Sequence, residues 1–191
     1  VTETNESTWW MHRPGTEFSE PVWLDGWDDQ SLWGWELGNY FAAMIPNDAT
    51  EEIVPHFFGQ PFSHVSTVVV ALGRLSRADP LSVCRALEVL PPQGPIPDET
   101  EILTLREKAR SHSMGAYTAG QIGACDWLLG RAATCPGSGW TWFAGQRPDR
   151  SIIAAECEVN TGEMFLGPAD PNAAYRHGVD EILGRIVARF K

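Results

Sequence analysis

The spacing of hydrophobic and polar positions changes several times along the chain, and each change predicts an element. Residues 1–29 hold no sustained period. Arg13-Pro14-Gly15 reads as a turn and Glu20-Pro21-Val22-Trp23-Leu24 as a short extended segment. From Asp29, taken as an N-cap, Trp33, Leu37, Tyr40, Phe41 and Met44 fall at i, i+4, i+7, i+8 and i+11. That is the stripe of a helix, and Pro46 ends it. Residues 46–62 read as a loop. Ser63 is the expected cap of a helix through His64–Ala78, with Val65, Val68, Val69 and Leu72 on its apolar face. Asp79-Pro80 starts the next helix by placing a capping carboxylate before a proline at the first helical position.

Pro91–Pro97 is a stiff, proline-rich connector. It separates an acidic, Trp-rich N-terminal half, residues 1–90, from residues 98–191, and the two halves are expected to pack as one globule because neither is large. Asp98 with Glu101 forms a capping-box variant that opens a helical region over about 98–131. Gly115, Ala116, Ala119, Gly120, Gly123 and Ala124 recur there at three- and four-residue spacing. Such small residues predict close approach of a second helix or of a ligand, or else a break in the helix near Ser113-Met114-Gly115. Trp140–Ala144, Ser151–Val159 and Met164–Leu166, separated by turn-forming clusters, read as a small meander. Asp170-Pro171 then opens a last amphipathic helix with Tyr175, Val179, Ile182, Ile186 and Phe190 on its apolar face. The expected fold class is α+β: a helix-dominated single domain with a small antiparallel β-meander near the C-terminus.

Composition narrows the function classes. With 191 residues, 43% hydrophobic and 20% charged, the chain can bury a core and is not of the disordered class. Its net charge of −11 argues against direct binding to nucleic acid or to an anionic membrane surface, and favours a cationic partner. Residues 1–60 carry eleven acids against Arg13 alone, and six of the nine tryptophans lie in the same stretch. The opening Val1–Ser7 has no basic or apolar leader character and no run of about 18 apolar residues occurs, so a cytoplasmic location is expected. Twelve of the fourteen basic residues are Arg, a habit of GC-rich bacterial genomes.

Catalytic signatures are sparse. Phosphate-loop, dinucleotide, nucleophile-elbow, zinc-protease and EF-hand motifs are all missing from the sequence. His56 and His64, eight residues apart, would need a third ligand from Glu51, Glu52 or His112, and they read as structural histidines, so no metal site and no cofactor is expected. Cys84, Cys125, Cys135 and Cys157 lack a C-x-x-C pair and read as reduced thiols. Glu156 and Glu158 would share one face of a strand and are candidate acid/base groups with His56 and His64.

Indoles among carboxylates can instead grip a cation, by ring-face attraction and charge-assisted hydrogen bonding. Trp23, Asp25, Trp27, Asp28, Asp29, Trp33 and Trp35 are the candidate binding residues. The expected function is a non-enzymatic acidic binding protein, of the immunity, inhibitor, antitoxin or accessory-subunit type, that engages a cationic protein surface through its N-terminal third. The alternatives are an enzyme or small-ligand sensor with a Trp- and carboxylate-lined pocket, and a structural or virion-associated subunit.

Overall fold

Two compact units divide the chain within the proline-rich connector, Val1–Pro92 and Gln93–Lys191. The computed structural model describes residues 15–47, 63–89, 91, 94–142, 145–164 and 172–189. Three strands come first in the chain: β1 (Phe18–Pro21), β2 (Leu32–Glu36) and β3 (Asn39–Ala43). They form one antiparallel sheet in the order β1-β2-β3, in which Trp35 faces Phe18 on one side and Tyr40 on the other.

The helix expected from Asp29 is therefore a hairpin, and two residues explain why. Leu37 and Gly38 take φ of 50° and 83°. Positive φ at both central positions is what a type I′ turn requires, and its twist matches that of paired strands. The aromatic stripe was the sum of two alternating strands: the registers Trp35↔Tyr40 and Trp33↔Ala42 put these four side chains on one buried face. Phe18 meets Trp33 edge-on at 5.2 Å between ring centroids, and Trp35 meets Tyr40 at 4.7 Å. On the opposite face the Phe41 ring lies across Gly34, covering the strand glycine that has no side chain to pack.

Two helices complete the described part of the first unit. α1 (Val65–Ser76) is capped by His64 rather than the expected Ser63, and its Val68, Val69 and Leu72 are buried. α2 (Pro80–Ala86) starts as its sequence dictates: Asp79 Oδ1 accepts the backbone N–H of Leu81 and Ser82 at 3.0 and 3.1 Å.

The second unit is helical. α3 (Glu99–Arg110) is capped by Asp98, which accepts the Glu101 N–H at 3.1 Å. α4 (Ala116–Leu128) begins after the expected break, at Gly115. Arg106 clasps α3 to α4 through Asp126, with Nε–Oδ1 at 2.7 Å and Nη2–Oδ2 at 3.3 Å. α5 (Arg150–Met164) and α6 (Ala173–Arg189) follow.

The small residues of α4 serve helix packing. A β-carbon on Gly120 would collide with the carbonyl oxygen of Tyr175 on α6, and one on Gly178 would collide with the carbonyl oxygen of Tyr117 on α4. The two backbones touch where both side chains are missing.

The C-terminal meander is corrected by α5, and the only described sheet lies at residues 18–43. Asp149 Oδ1 accepts the N–H groups of Ser151 and Ile152 at 2.8 and 3.1 Å and so starts a helix where a turn was expected. Ile152, Ile153, Glu156, Val159 and Asn160 then fall on one buried helical face. What remains of the meander is an isolated bridge between Thr134 and Thr141. The cap expected at Asp170-Pro171 lies outside the described residues. The α+β, helix-dominated class holds, with the sheet near the N-terminus. No described helix is long and apolar enough to cross a membrane.

Candidate functional site

Five of the candidate binding residues, Trp23, Asp25, Trp27, Asp28 and Asp29, lie on one loop, the ten-residue connection between β1 and β2. Its base closes with the Val22 N–H donating to the Ser31 carbonyl at 2.7 Å. Its middle is tied to the chain leaving β3. The Asp28 N–H donates to the Ile45 carbonyl at 2.7 Å and the Asn47 N–H to the Gly26 carbonyl at 3.2 Å. The buried Ser31 hydroxyl accepts the Ile45 N–H at 3.0 Å. Within the loop, Asp28 Oδ1 accepts the Gln30 N–H at 2.9 Å, an Asx turn that fixes the local path.

This extended backbone sorts its side chains by alternation. Val22 and Leu24 point inward and are buried, which sends Trp23 and Asp25 outward. Trp23 is 62% exposed, and Asp25 and Asp29 are exposed, with Trp27 and Asp28 half-covered. Trp33 and Trp35 are only 6% and 7% exposed on the packed face of the sheet. They belong to the aromatic core of the sheet, against Phe18 and Tyr40.

The electrostatics of this body are one-sided. Residues 15–47 contain Glu17, Glu20, Asp25, Asp28, Asp29 and Glu36 and no Lys, Arg or His. Between Arg13 and Arg74 the chain has no Lys or Arg at all. The stretch supplies no basic residue of its own to balance these carboxylates.

The acid/base candidates are arranged differently from the expectation. Glu156 and Glu158 stand on a helix, about 200° apart around its axis, so they do not share a face. Glu156 is fully buried. Its Oε1 accepts the Trp142 indole N–H at 2.6 Å and the Ser138 hydroxyl at 2.8 Å. Burial pushes its carboxyl above the usual carboxylate range, opposed by the hydrogen bonds from Cys135, Trp142 and Ser138. Glu158 is half-covered. His64 belongs to the first unit, as the α1 cap, and His56 lies outside the described residues. No group of three His, Cys, Asp or Glu suited to a metal ion occurs among the described residues.

Burial favours the protonated form of the thiols. All four cysteines are free. Burial pushes Cys84 up to about 11 and Cys125 and Cys157 up to about 12, and holds Cys135 well above the ordinary thiol value. None is poised as a thiolate nucleophile.

No protein-family model, curated protein or solved structure matches the chain. The sequence reading missed Ser31 and Ile45 as the clamp of the loop and Ser138 and Trp142 as the partners of Glu156. A lone buried serine carries no sequence signal. The Asp149-Arg150-Ser151 cap did carry one, and it would have turned residues 151–159 from strand to helix.

Proposed function

We propose that the first unit is a docking module for a cationic protein surface, and that the β1–β2 loop is its contact site. The observation that carries this reading is Trp23, 62% exposed on a loop whose backbone is pinned at both its base and its middle, beside Asp25, Asp28 and Asp29. An indole held outward loses the free energy its burial would contribute, about 1.5–3 kcal/mol for a large apolar side chain. That cost is offset when a partner covers the ring, and Trp is over-represented among residues that dominate binding.

The chemistry of the loop selects an arginine. A guanidinium stacks on an indole face while its fork of donors meets a carboxylate. The remaining acids of the body steer a basic partner toward the loop before contact. An inhibitor, antitoxin or accessory subunit in a bacterial cytoplasm is the class of protein this chemistry suits.

The test uses a fluorescently labelled arginine-rich peptide as the probe, titrated with the full chain. Asp25→Asn, Asp28→Asn and Asp29→Asn together should weaken binding at least tenfold. Glu88→Gln, Glu99→Gln and Glu107→Gln together remove the same charge from exposed positions outside the loop and should change it less than threefold. Equal losses in the two triple variants would show that net charge alone attracts the peptide and would overturn the reading.

A further inference from the structure

We infer that the second unit carries a separate binding site for a small organic anion, in the cleft between α3, α4 and α6. The cleft encloses about 390 Å³, within the range of small-molecule pockets. Its floor is apolar, made by Leu105, Ala109 and Ile182. Around that floor stand Lys108, Tyr117 and Arg185, each able to donate a hydrogen bond.

The charges at this rim do not cancel. Glu181 is the one carboxylate that lines the cleft, and it is already engaged: Gln121 Nε2 donates to its Oε2 at 2.9 Å and Arg185 pairs with its Oε1 at 2.5 Å. Lys108 is different from the arginines around it. Arg106, Arg110, Arg131, Arg147, Arg185 and Arg189 each have a carboxylate within 4 Å, whereas no ion pair forms at Lys108 among the described residues. One uncompensated ammonium therefore borders the cleft of a protein whose net charge is −11.

His112 donates its Nδ1 hydrogen to the Lys108 carbonyl at 2.8 Å, which fixes the ring beside the cleft. The Thr118 hydroxyl donates to the Ser113 carbonyl at 3.0 Å and holds the α3–α4 turn at the mouth. An acid group would sit at Lys108, and an apolar body would cover Leu105, Ala109 and Ile182. A carboxylate or phosphate ester with an aryl or short alkyl body fits both requirements.

Isothermal titration of the full chain with phenyl phosphate, inorganic phosphate and benzyl alcohol tests this. Phenyl phosphate should bind saturably with one site, at least fivefold more tightly than inorganic phosphate, and benzyl alcohol should bind more weakly than phenyl phosphate. Lys108→Glu, an exposed substitution, should weaken phenyl phosphate at least tenfold, and Arg85→Glu on α2 should leave it unchanged. Absence of saturable binding, equal binding of phenyl phosphate and benzyl alcohol, or equal losses in the two variants would overturn the inference. Equal affinity for phenyl phosphate and inorganic phosphate would overturn the role of the apolar floor.

Discussion

The Glu156 carboxylate accepts the indole N–H of Trp142 at 2.6 Å inside the second unit, and the same oxygen accepts the Ser138 hydroxyl at 2.8 Å. Its other oxygen, Oε2, is buried without a hydrogen-bond partner among the described atoms. Burial raises this carboxyl's proton affinity in the folded state. The native protein therefore holds a proton that the unfolded chain releases once pH passes the ordinary glutamate value, about 4.3. Stability from this group is greatest below that value and falls as pH rises, by at most about 1.4 kcal/mol per pH unit.

Glu156→Gln should remove this decline while keeping an acceptor for Trp142. Urea unfolding at pH 5 and pH 7.5 should show a lower midpoint at pH 7.5 for the wild type and a smaller difference for the variant. Glu156→Ala strands two donors and opens a cavity, and should cost about 2–4 kcal/mol at either pH. Asp79 acts in a separate window. Hydrogen bonds from Ser82 lower its carboxyl, so its contribution is present above the ordinary aspartate value and is lost as pH falls below it.

The α4–α6 contact gives a prediction of opposite signs on one helix. Gly178→Ala must displace the Tyr117 carbonyl and should cost about 1–3 kcal/mol. Gly120→Ala should cost a similar amount, and the two losses should not add, since both separate the same pair of backbones. Gly184 on α6 has open space where its β-carbon would go. Gly184→Ala should therefore raise stability by about 0.5–1 kcal/mol in the same denaturation experiment.

Leu37 is 84% exposed and sits at φ 50°, held there by the Glu17 carboxylate on its N–H at 3.1 Å and by the Asn39 side chain on its carbonyl at 3.2 Å. A leucine in this conformation is strained, and asparagine tolerates it. Leu37→Asn should stabilise the protein by about 1 kcal/mol, seen as a higher thermal midpoint. It should leave binding of the arginine-rich peptide unchanged, because the turn lies at the opposite end of the sheet from the β1–β2 loop.

That turn also explains what the sequence could and could not convey. α1, α2, the α3–α4 break and α6 were legible, since each has either a capping carboxylate before a proline, a stop signal or a full apolar stripe. Leu37-Gly38 was not, because leucine is a poor marker of a type I′ turn and the two aromatic strands happen to match a helical spacing. At α5 the strand reading took Gly145–Asp149 as a turn-forming cluster and passed over the Asp149 cap, although the stripe through Val159 and Asn160 is helical. The loop was legible as chemistry and invisible as geometry: its acids and indoles stand in the sequence, but the Ser31–Ile45 clamp depends on residues fourteen apart.

Salt and indole should separate in kinetics. Association of the arginine-rich peptide should slow steeply as the Debye length shrinks from about 30 Å at 0.01 M salt to about 8 Å at 0.15 M. Asp25→Asn with Asp29→Asn should flatten that dependence. Trp23→Ala should keep it, and should instead speed dissociation by about tenfold, the loss of one stacked contact of about 1–2 kcal/mol. Stopped-flow anisotropy reads both rates.

The central claim is that the β1–β2 loop itself receives the cationic partner. Mapping backbone amide chemical shifts of the full chain during titration with the arginine-rich peptide tests it most directly. The largest shifts should fall on residues 22–31, with the Trp23 indole N–H among them. Shifts spread evenly over the exposed acids of α3, α5 and α6, with residues 22–31 unmoved, would contradict it.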